Sequence, residues 1–162
     1  MIFRSIQERL KKLQESERVH NNRIKINVVG TSLNKTPRGL RETAKQTMEI
    51  TKDYGNRIFN IAVGYGGRFE IIRAAIKFAK WLKNKPIIKQ ITNEMFENFL
   101  LIKNPVDIVI RTGKEYRLSG FMLYQLAYSE LFFVDLYWPD FTTKEFDKIM
   151  KEYYRRQRRF GE

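Results

Sequence analysis

The chain contains no cysteine. That excludes a disulfide framework and any thiolate metal site, and it fits a reducing cytoplasm. Histidine occurs once, as His20, so a histidine-based metal site is not expected and His20 is assigned no role. A long uninterrupted apolar run is also missing. The most apolar stretch, residues 121–138, is broken by Gln125, Glu130 and Asp135, and a membrane-spanning helix hardly tolerates two carboxylates near its middle. That stretch reads instead as a buried helix followed by a buried strand. The opening Ile2-Phe3-Arg4-Ser5-Ile6 turns densely charged without an apolar signal-peptide core. Acids are scarce: 18 against 31 lysines and arginines, a formal net charge of +13. Such a field attracts polyanions, and nucleic acid, anionic lipid and diphosphates all qualify. Charge alone does not choose among them. With 43% hydrophobic residues in 162, the chain has enough apolar mass for one ordinary domain and is not a disordered segment.

Hydrophobic periodicity divides the chain into alternating elements. Residues 4–19 read as an amphipathic helix with Ile6, Leu10 and Leu13 on one face. The run Ile24 to Val29 reads as a strand stopping at Gly30. A helix follows Pro37 and runs to about Asp53, and Ile58 to Val63 form a second strand. Gly64-Tyr65-Gly66-Gly67 is too glycine-rich for either regular element. It reads as a tight strand-to-helix turn rather than a phosphate cradle, with Arg68 and Glu70 organising the junction. Residues 68–83 form a wide-faced helix. Thr92 caps a short helix to about Leu100, and Val106 to Ile110 form a third strand. Residues 120–131 read as a helix and 132–137 as a fourth strand. Thr142 with Glu145 makes a capping box, and Phe141 with Phe146 a hydrophobic staple, for the last helix. Long crossovers between strands call for parallel pairing. The expected architecture is a single α/β domain over residues 1–162 with a mostly parallel central sheet flanked by helices. Ligands in such sheets bind beyond the carboxyl ends of the strands, which directs attention to residues 111–119.

Within that segment lie Arg111, Arg117 and Ser119, two guanidinium groups, each able to bond two oxygens of an anion at once, and a hydroxyl. By spacing alone, a surface salt-bridge pair beside a helix-capping serine is the weightier reading. Three linked stretches change that balance. They are Ala62-Val63-Gly64-Tyr65-Gly66-Gly67-Arg68-Phe69-Glu70-Ile71; Pro105 to Gly113 running on through Arg117-Leu118-Ser119 to Phe121; and Gln125 to Leu131 with Trp138-Pro139-Asp140-Phe141 and the closing Arg158-Arg159-Phe160-Gly161. In this order they resemble the cis-prenyltransferases, the undecaprenyl-diphosphate-synthase-like enzymes, over nearly everything from Asn22 onward.

The resemblance implies a transferase that condenses isopentenyl diphosphate with an allylic prenyl diphosphate to build a long cis-polyprenyl diphosphate. It implies that Arg111, Arg117 and Ser119 hold the diphosphate of isopentenyl diphosphate. It implies that Glu130 is a partial ligand of Mg2+, which takes few carboxylates and completes its shell with phosphate oxygens and water. It further implies that Arg159 and Gly161 reach a neighbouring active site across a dimer. Expected partners are therefore the two diphosphates and a second copy of the chain, or a catalytic subunit in a heteromer. Peripheral association with a membrane surface from the cytoplasm is expected too, and nucleic acid is not.

The sequence also departs from the family. The aspartate-and-glycine motif that binds magnesium does not occur before Asn22, so the catalytic residue is unassigned. A fragment of a working enzyme, half of a split enzyme and a non-catalytic accessory subunit each account for that. Lys114 and Gly120 stand where glycine and asparagine are usual, Gly64 replaces an asparagine, and Tyr124 a tryptophan.

Overall fold

Helix–strand alternation is realised as ten elements in a computed structural model that describes residues 2–85 and 90–156. They are α1 (Ile2–Gln14), α2 (Glu17–Asn21), β1 (Ile24–Val29), α3 (Arg38–Ile50), β2 (Arg57–Ala62), α4 (Gly67–Lys83), α5 (Asn93–Glu97), β3 (Ile108–Arg111), β4 (Glu130–Phe133) and α6 (Thr143–Arg155), with two short 3-10 turns besides. The strands pair in parallel, as expected, but as two ribbons, β1 with β2 and β3 with β4. The chain divides into two compact units, residues 1–70 and 71–162.

In the first unit the apolar face of α1 packs on α3. Leu10, Leu40 and Ala44 are fully buried with Val28 and Val63, and Ile6 and Leu13 flank them. Beside this apolar core runs a polar seam. Thr43, Thr47 and Thr51 lie one turn apart on α3 and at its end, and each hydroxyl donates to the carbonyl four residues earlier at 2.8–3.0 Å. Their oxygens also accept: from Gln7 Nε2 at 3.2 Å, from Gln14 Nε2 at 2.9 Å, and from the Ile26 amide at 3.0 Å. Buried hydroxyls are tolerated only when so satisfied. The seam ties α1, α3 and β1 together by direction as well as by contact.

The single helix expected over 4–19 breaks at Glu15–Ser16. Ser16 is extended (φ −76°, ψ 112°) and begins α2. The Gln14 carbonyl that a continued helix would use is taken by His20 Nε2 at 2.7 Å, while His20 Nδ1 meets the Tyr54 hydroxyl at 2.9 Å. His20 therefore has a structural part that periodicity does not show.

β1 and β2 run in register from Ile24 beside Arg57 to Val29 beside Ala62. Where they end, Gly30 lies so close to Val63 that a Cβ would sit 1.8 Å from its carbonyl oxygen. Gly64 takes φ +58° to turn the chain into α4, a conformation that strains any residue with a Cβ. The Tyr65 hydroxyl donates to the Glu70 carboxylate, which is buried under it. The Gly64–Gly67 segment is thus a strand-to-helix turn whose anionic group is internal, which disfavours a second anion there.

In the second unit, the Phe78 ring of α4 meets those of Phe96 edge-on at 5.7 Å and Phe99 tilted at 5.5 Å, and Phe96 lies 5.4 Å from Tyr124. Thr92 caps α5 by accepting from the Met95 amide. The helix expected over 120–131 is absent. Gly120 and Met122 adopt φ of +76° and +45°, and a left-handed residue cannot propagate a right-handed helix. Residues 120–128 form consecutive turns instead, and β4 begins at Glu130 rather than at 132. The misleading signal is the buried set Met122, Gln125 and Leu126, whose spacing of three and four mimics a helix face. The last helix starts where expected, with Thr142 Oγ1 accepting from the Glu145 amide at 3.4 Å. The reciprocal half of that capping box is not made, because the Glu145 carboxylate pairs with Lys148 at 2.8 Å.

Gly30→Ala should destabilise the protein by about 1–3 kcal/mol or prevent folding. Gly55→Ala, with open space around it, should stay within about 0.5 kcal/mol of the parent. Urea denaturation of both variants checks this, and equal stabilities would refute the close approach.

Candidate functional site

The carboxyl end of β3 delivers Arg111 into a loop of unusual backbone. Gly113, Lys114, Ser119, Gly120 and Met122 all have φ between +45° and +96°. Non-glycine residues at such angles are uncommon and concentrate at functional loops. The loop folds back on itself. An Arg111 guanidinium nitrogen donates to Ser119 Oγ at 3.1 Å and to the backbone carbonyl of Arg117.

The parallel partner strand holds this loop in place. The Val134 amide donates to the Arg111 carbonyl at 2.8 Å, and the Gly113 amide to the Leu136 carbonyl at 2.7 Å. The Tyr116 hydroxyl donates to the Asp135 carboxylate, and its ring lies 5.6 Å from that of Phe133. The bond to Asp135 raises the Tyr116 pKa, with burial and the charge of Asp135 adding to it.

Of the residues expected to hold a diphosphate, Arg111 and Ser119 converge. Arg117 brings its backbone carbonyl to the same point, but its guanidinium pairs with Glu115. That ion pair is largely exposed (65% and 42%), so breaking it costs only about 0–1 kcal/mol. The side chain is thus available to an anion.

Glu130 lies elsewhere on the same ribbon. Register sets Glu130 beside Ile108 and Phe133 beside Arg111. Side chains alternate along a strand, so Glu130 faces with Phe132, opposite to Arg111. The contacts agree: Arg156 at the end of α6 pairs with Glu130 at 2.6 Å and sits 4.2 Å over the Phe132 ring. The bond to Glu130 raises the Arg156 pKa against the lowering by burial, and Glu152 assists. Glu130 is therefore a paired, partly buried carboxylate at a strand start, not a residue of an apolar helix.

Among the described residues no three acids or histidines gather into a metal cage. Glu130 offers a single carboxylate with one oxygen held by Arg156. That suits magnesium only as a partial ligand completed by phosphate oxygens and water. Arg159 and Gly161 lie outside the described residues.

After β4 an aromatic group reaches the surface. Tyr137 and Trp138 are exposed, and Trp138 stacks on Phe141 at 6.0 Å. No sequence pattern marks Tyr116, Asp135 or Arg156 as residues of the site.

A family profile described as "Putative undecaprenyl diphosphate synthase" matches residues 2–161. A Pyrococcus horikoshii protein named tritrans,polycis-undecaprenyl-diphosphate synthase (geranylgeranyl-diphosphate specific) is 39% identical over 163 residues, covering 99% of this chain and 61% of its own. The Thermococcus kodakarensis protein of the same name is 43% identical over 158 residues, with 96% and 60% covered. Among solved structures, a Campylobacter jejuni protein titled a "probable undecaprenyl diphosphate synthase" superposes with a TM-score of 0.87 at 30% identity, over 99% of this chain and 73% of that one. Lavandulyl diphosphate synthase from Lavandula x intermedia, solved with dimethylallyl diphosphate, gives 0.84 at 28% identity, over 99% and 70%. The chain thus spans about three-fifths of the length of the curated relatives it matches.

The bond between Tyr116 and Asp135 has a pH signature. A pKa raised on folding means its stabilisation is complete below the ordinary tyrosine value of about 10 and is lost as pH rises through the folded value. In difference titrations against Tyr116→Phe, the Tyr116 phenol should ionise above that value, and Asp135→Asn should bring it down. An unchanged titration in Asp135→Asn would show that the bond does not hold in solution.

Proposed function

The chain belongs to the undecaprenyl diphosphate synthase family of prenyltransferases, and from that premise we propose that it holds isopentenyl diphosphate for cis-condensation with an allylic prenyl diphosphate. The observation that carries this reading is the convergence of Arg111 and Ser119, 3.1 Å apart, at the carboxyl end of a parallel strand. Arg111 lacks a carboxylate partner among the described residues, since its guanidinium contacts are a hydroxyl and a carbonyl. A cation presented with neutral oxygens only is poised for an anion. Arg117, released from Glu115, supplies the second fork.

In the reaction, the carbon–oxygen bond of the allylic diphosphate breaks and diphosphate leaves with the electron pair. The isopentenyl double bond then attacks the allylic carbon. Loss of a proton from the isopentenyl unit completes the new cis double bond. Fixed positive charge against diphosphate oxygens supplies the stabilisation, and no protein nucleophile is needed. The relatives' names point to geranylgeranyl diphosphate as the allylic primer and a polycis-undecaprenyl diphosphate as the product.

Magnesium would neutralise diphosphate charge, with Glu130 as one ligand and the family's aspartate coming from outside these residues. A homodimer through the exposed Tyr137 and Trp138 and the stacked Phe141 is part of the same proposal, with Arg159 and Gly161 reaching the neighbouring site. Among the described residues no helix is long and apolar enough to cross a membrane. The proposed location is the cytoplasm, with the basic protein at the membrane surface where its product partitions.

Arg111→Ala and Arg117→Ala should each weaken isopentenyl diphosphate binding by about ten-fold or more in calorimetry on the chain. They should abolish incorporation of labelled isopentenyl diphosphate into geranylgeranyl-primed product in the assembled enzyme. Wild-type binding in both variants would overturn the assignment.

A further inference from the structure

We propose that Lys114 is a third cationic ligand for the diphosphate, an addition in this chain to the pair supplied by Arg111 and Arg117. The inference rests on that diphosphate reading of the loop and goes beyond it by assigning a residue the family pattern does not supply.

The backbone carries the first part of the case. Lys114 is held at φ +59°, where a Cβ is strained relative to glycine. Its neighbour Gly113, at φ +96°, has open space where a Cβ would point, so crowding does not dictate the residues of this turn. A lysine here is not the choice that makes the turn most stable. What it adds is charge.

Location carries the second part. The loop closes on itself through the Arg111 bonds to Ser119 Oγ and the Arg117 carbonyl. Lys114 lies within that closed segment, between the residues that grip the anion. The one acid inside the segment, Glu115, is engaged by Arg117. The Lys114 ammonium is exposed and rests 5.8 Å from the centre of the Tyr137 ring. Among the described residues no carboxylate forms an ion pair with it. Resting on an aromatic face is a weak attachment for an exposed cation that a diphosphate outcompetes. The long flexible stem lets a lysine act as a point charge without the fixed geometry a guanidinium requires.

A purely structural role would make Lys114 a strap between the loop and Tyr137. The two roles separate by charge and salt. Inorganic pyrophosphate is titrated calorimetrically into the wild-type chain, Lys114→Gln, Lys114→Gly, Lys114→Arg and Arg111→Ala, at low ionic strength and at about 1 M salt, where the Debye length falls to about 3 Å. Lys114→Gln and Lys114→Gly should each bind about five- to ten-fold more weakly than wild type at low salt, and that difference should shrink towards one-fold at high salt. Lys114→Arg should bind like wild type. Lys114→Gly, which suits the backbone, should denature no earlier than wild type, so its weaker binding cannot be blamed on a misfolded loop. Equal affinity of wild type and Lys114→Gln at low salt, or a difference that high salt leaves intact, overturns the proposal. If Arg111→Ala loses affinity while the Lys114 variants keep it, only the role of Lys114 fails. If Arg111→Ala also binds like wild type, the diphosphate reading of the loop fails with it.

Discussion

Everything assigned to the site depends on the parallel pairing of β3 with β4. In a parallel ribbon both strands run out at the same end, so the loops that follow them are neighbours. The ladder continues one step beyond the strands, where the Val134 amide meets the Arg111 carbonyl, and the Gly113 amide then reaches Leu136. Those bonds set the direction in which Arg111 leaves the sheet. Tyr116 locks the far side of the loop to Asp135. The same ladder separates functions by face. Two-residue alternation sends Arg111 and Phe133 to one side and Glu130 and Phe132 to the other, and Arg156 confirms the second set by touching both of its members.

The loop combines backbone strain with unbalanced charge. Left-handed residues let a short segment curl until a guanidinium meets a hydroxyl eight positions on. One guanidinium nitrogen of Arg111 is bonded yet the group is not neutralised, because hydroxyl and carbonyl oxygens carry no net charge. Excess positive charge across the chain, +13 overall, attracts anions but distinguishes none. Fixed donors such as Arg111 and Ser119 at a set spacing are what the proposed site adds, a property of the loop and not of the composition.

The first unit shows how a small layer is made specific. Leu10 and Leu40 supply apolar burial that many arrangements of two helices would provide. The threonine seam permits fewer, because Gln7, Gln14 and the Ile26 amide must each find a particular hydroxyl. Moving α1 by one turn would take Gln7 and Gln14 away from the Thr43 and Thr47 hydroxyls, at about 0.5–1.5 kcal/mol for each bond lost. Gly30 adds a steric condition, since the strand ends approach too closely for any side chain.

Much of this was legible in the residues themselves. Strand β1, helices α3 and α4, the Thr92 and Thr142 caps and the parallel α/β class follow from periodicity and capping chemistry, which are local properties. Arg111, Arg117 and Ser119 were legible through their motif and its place after a strand. The rest was decided by tertiary contacts. Where the first helix ends, His20 takes the Gln14 carbonyl, and Tyr54, far along the chain, meets its other nitrogen. Residues 120–128 leave the helix their spacing suggests, with Gly120 and Met122 left-handed and Gln125 donating to the distant Ile102 carbonyl. Glu130 meets Arg156 only because α6 returns to the ribbon. Local pattern specifies which elements form and what chemistry they carry. Which side chains meet, and on which face of the sheet, depends on long-range pairing that no window of neighbouring residues contains.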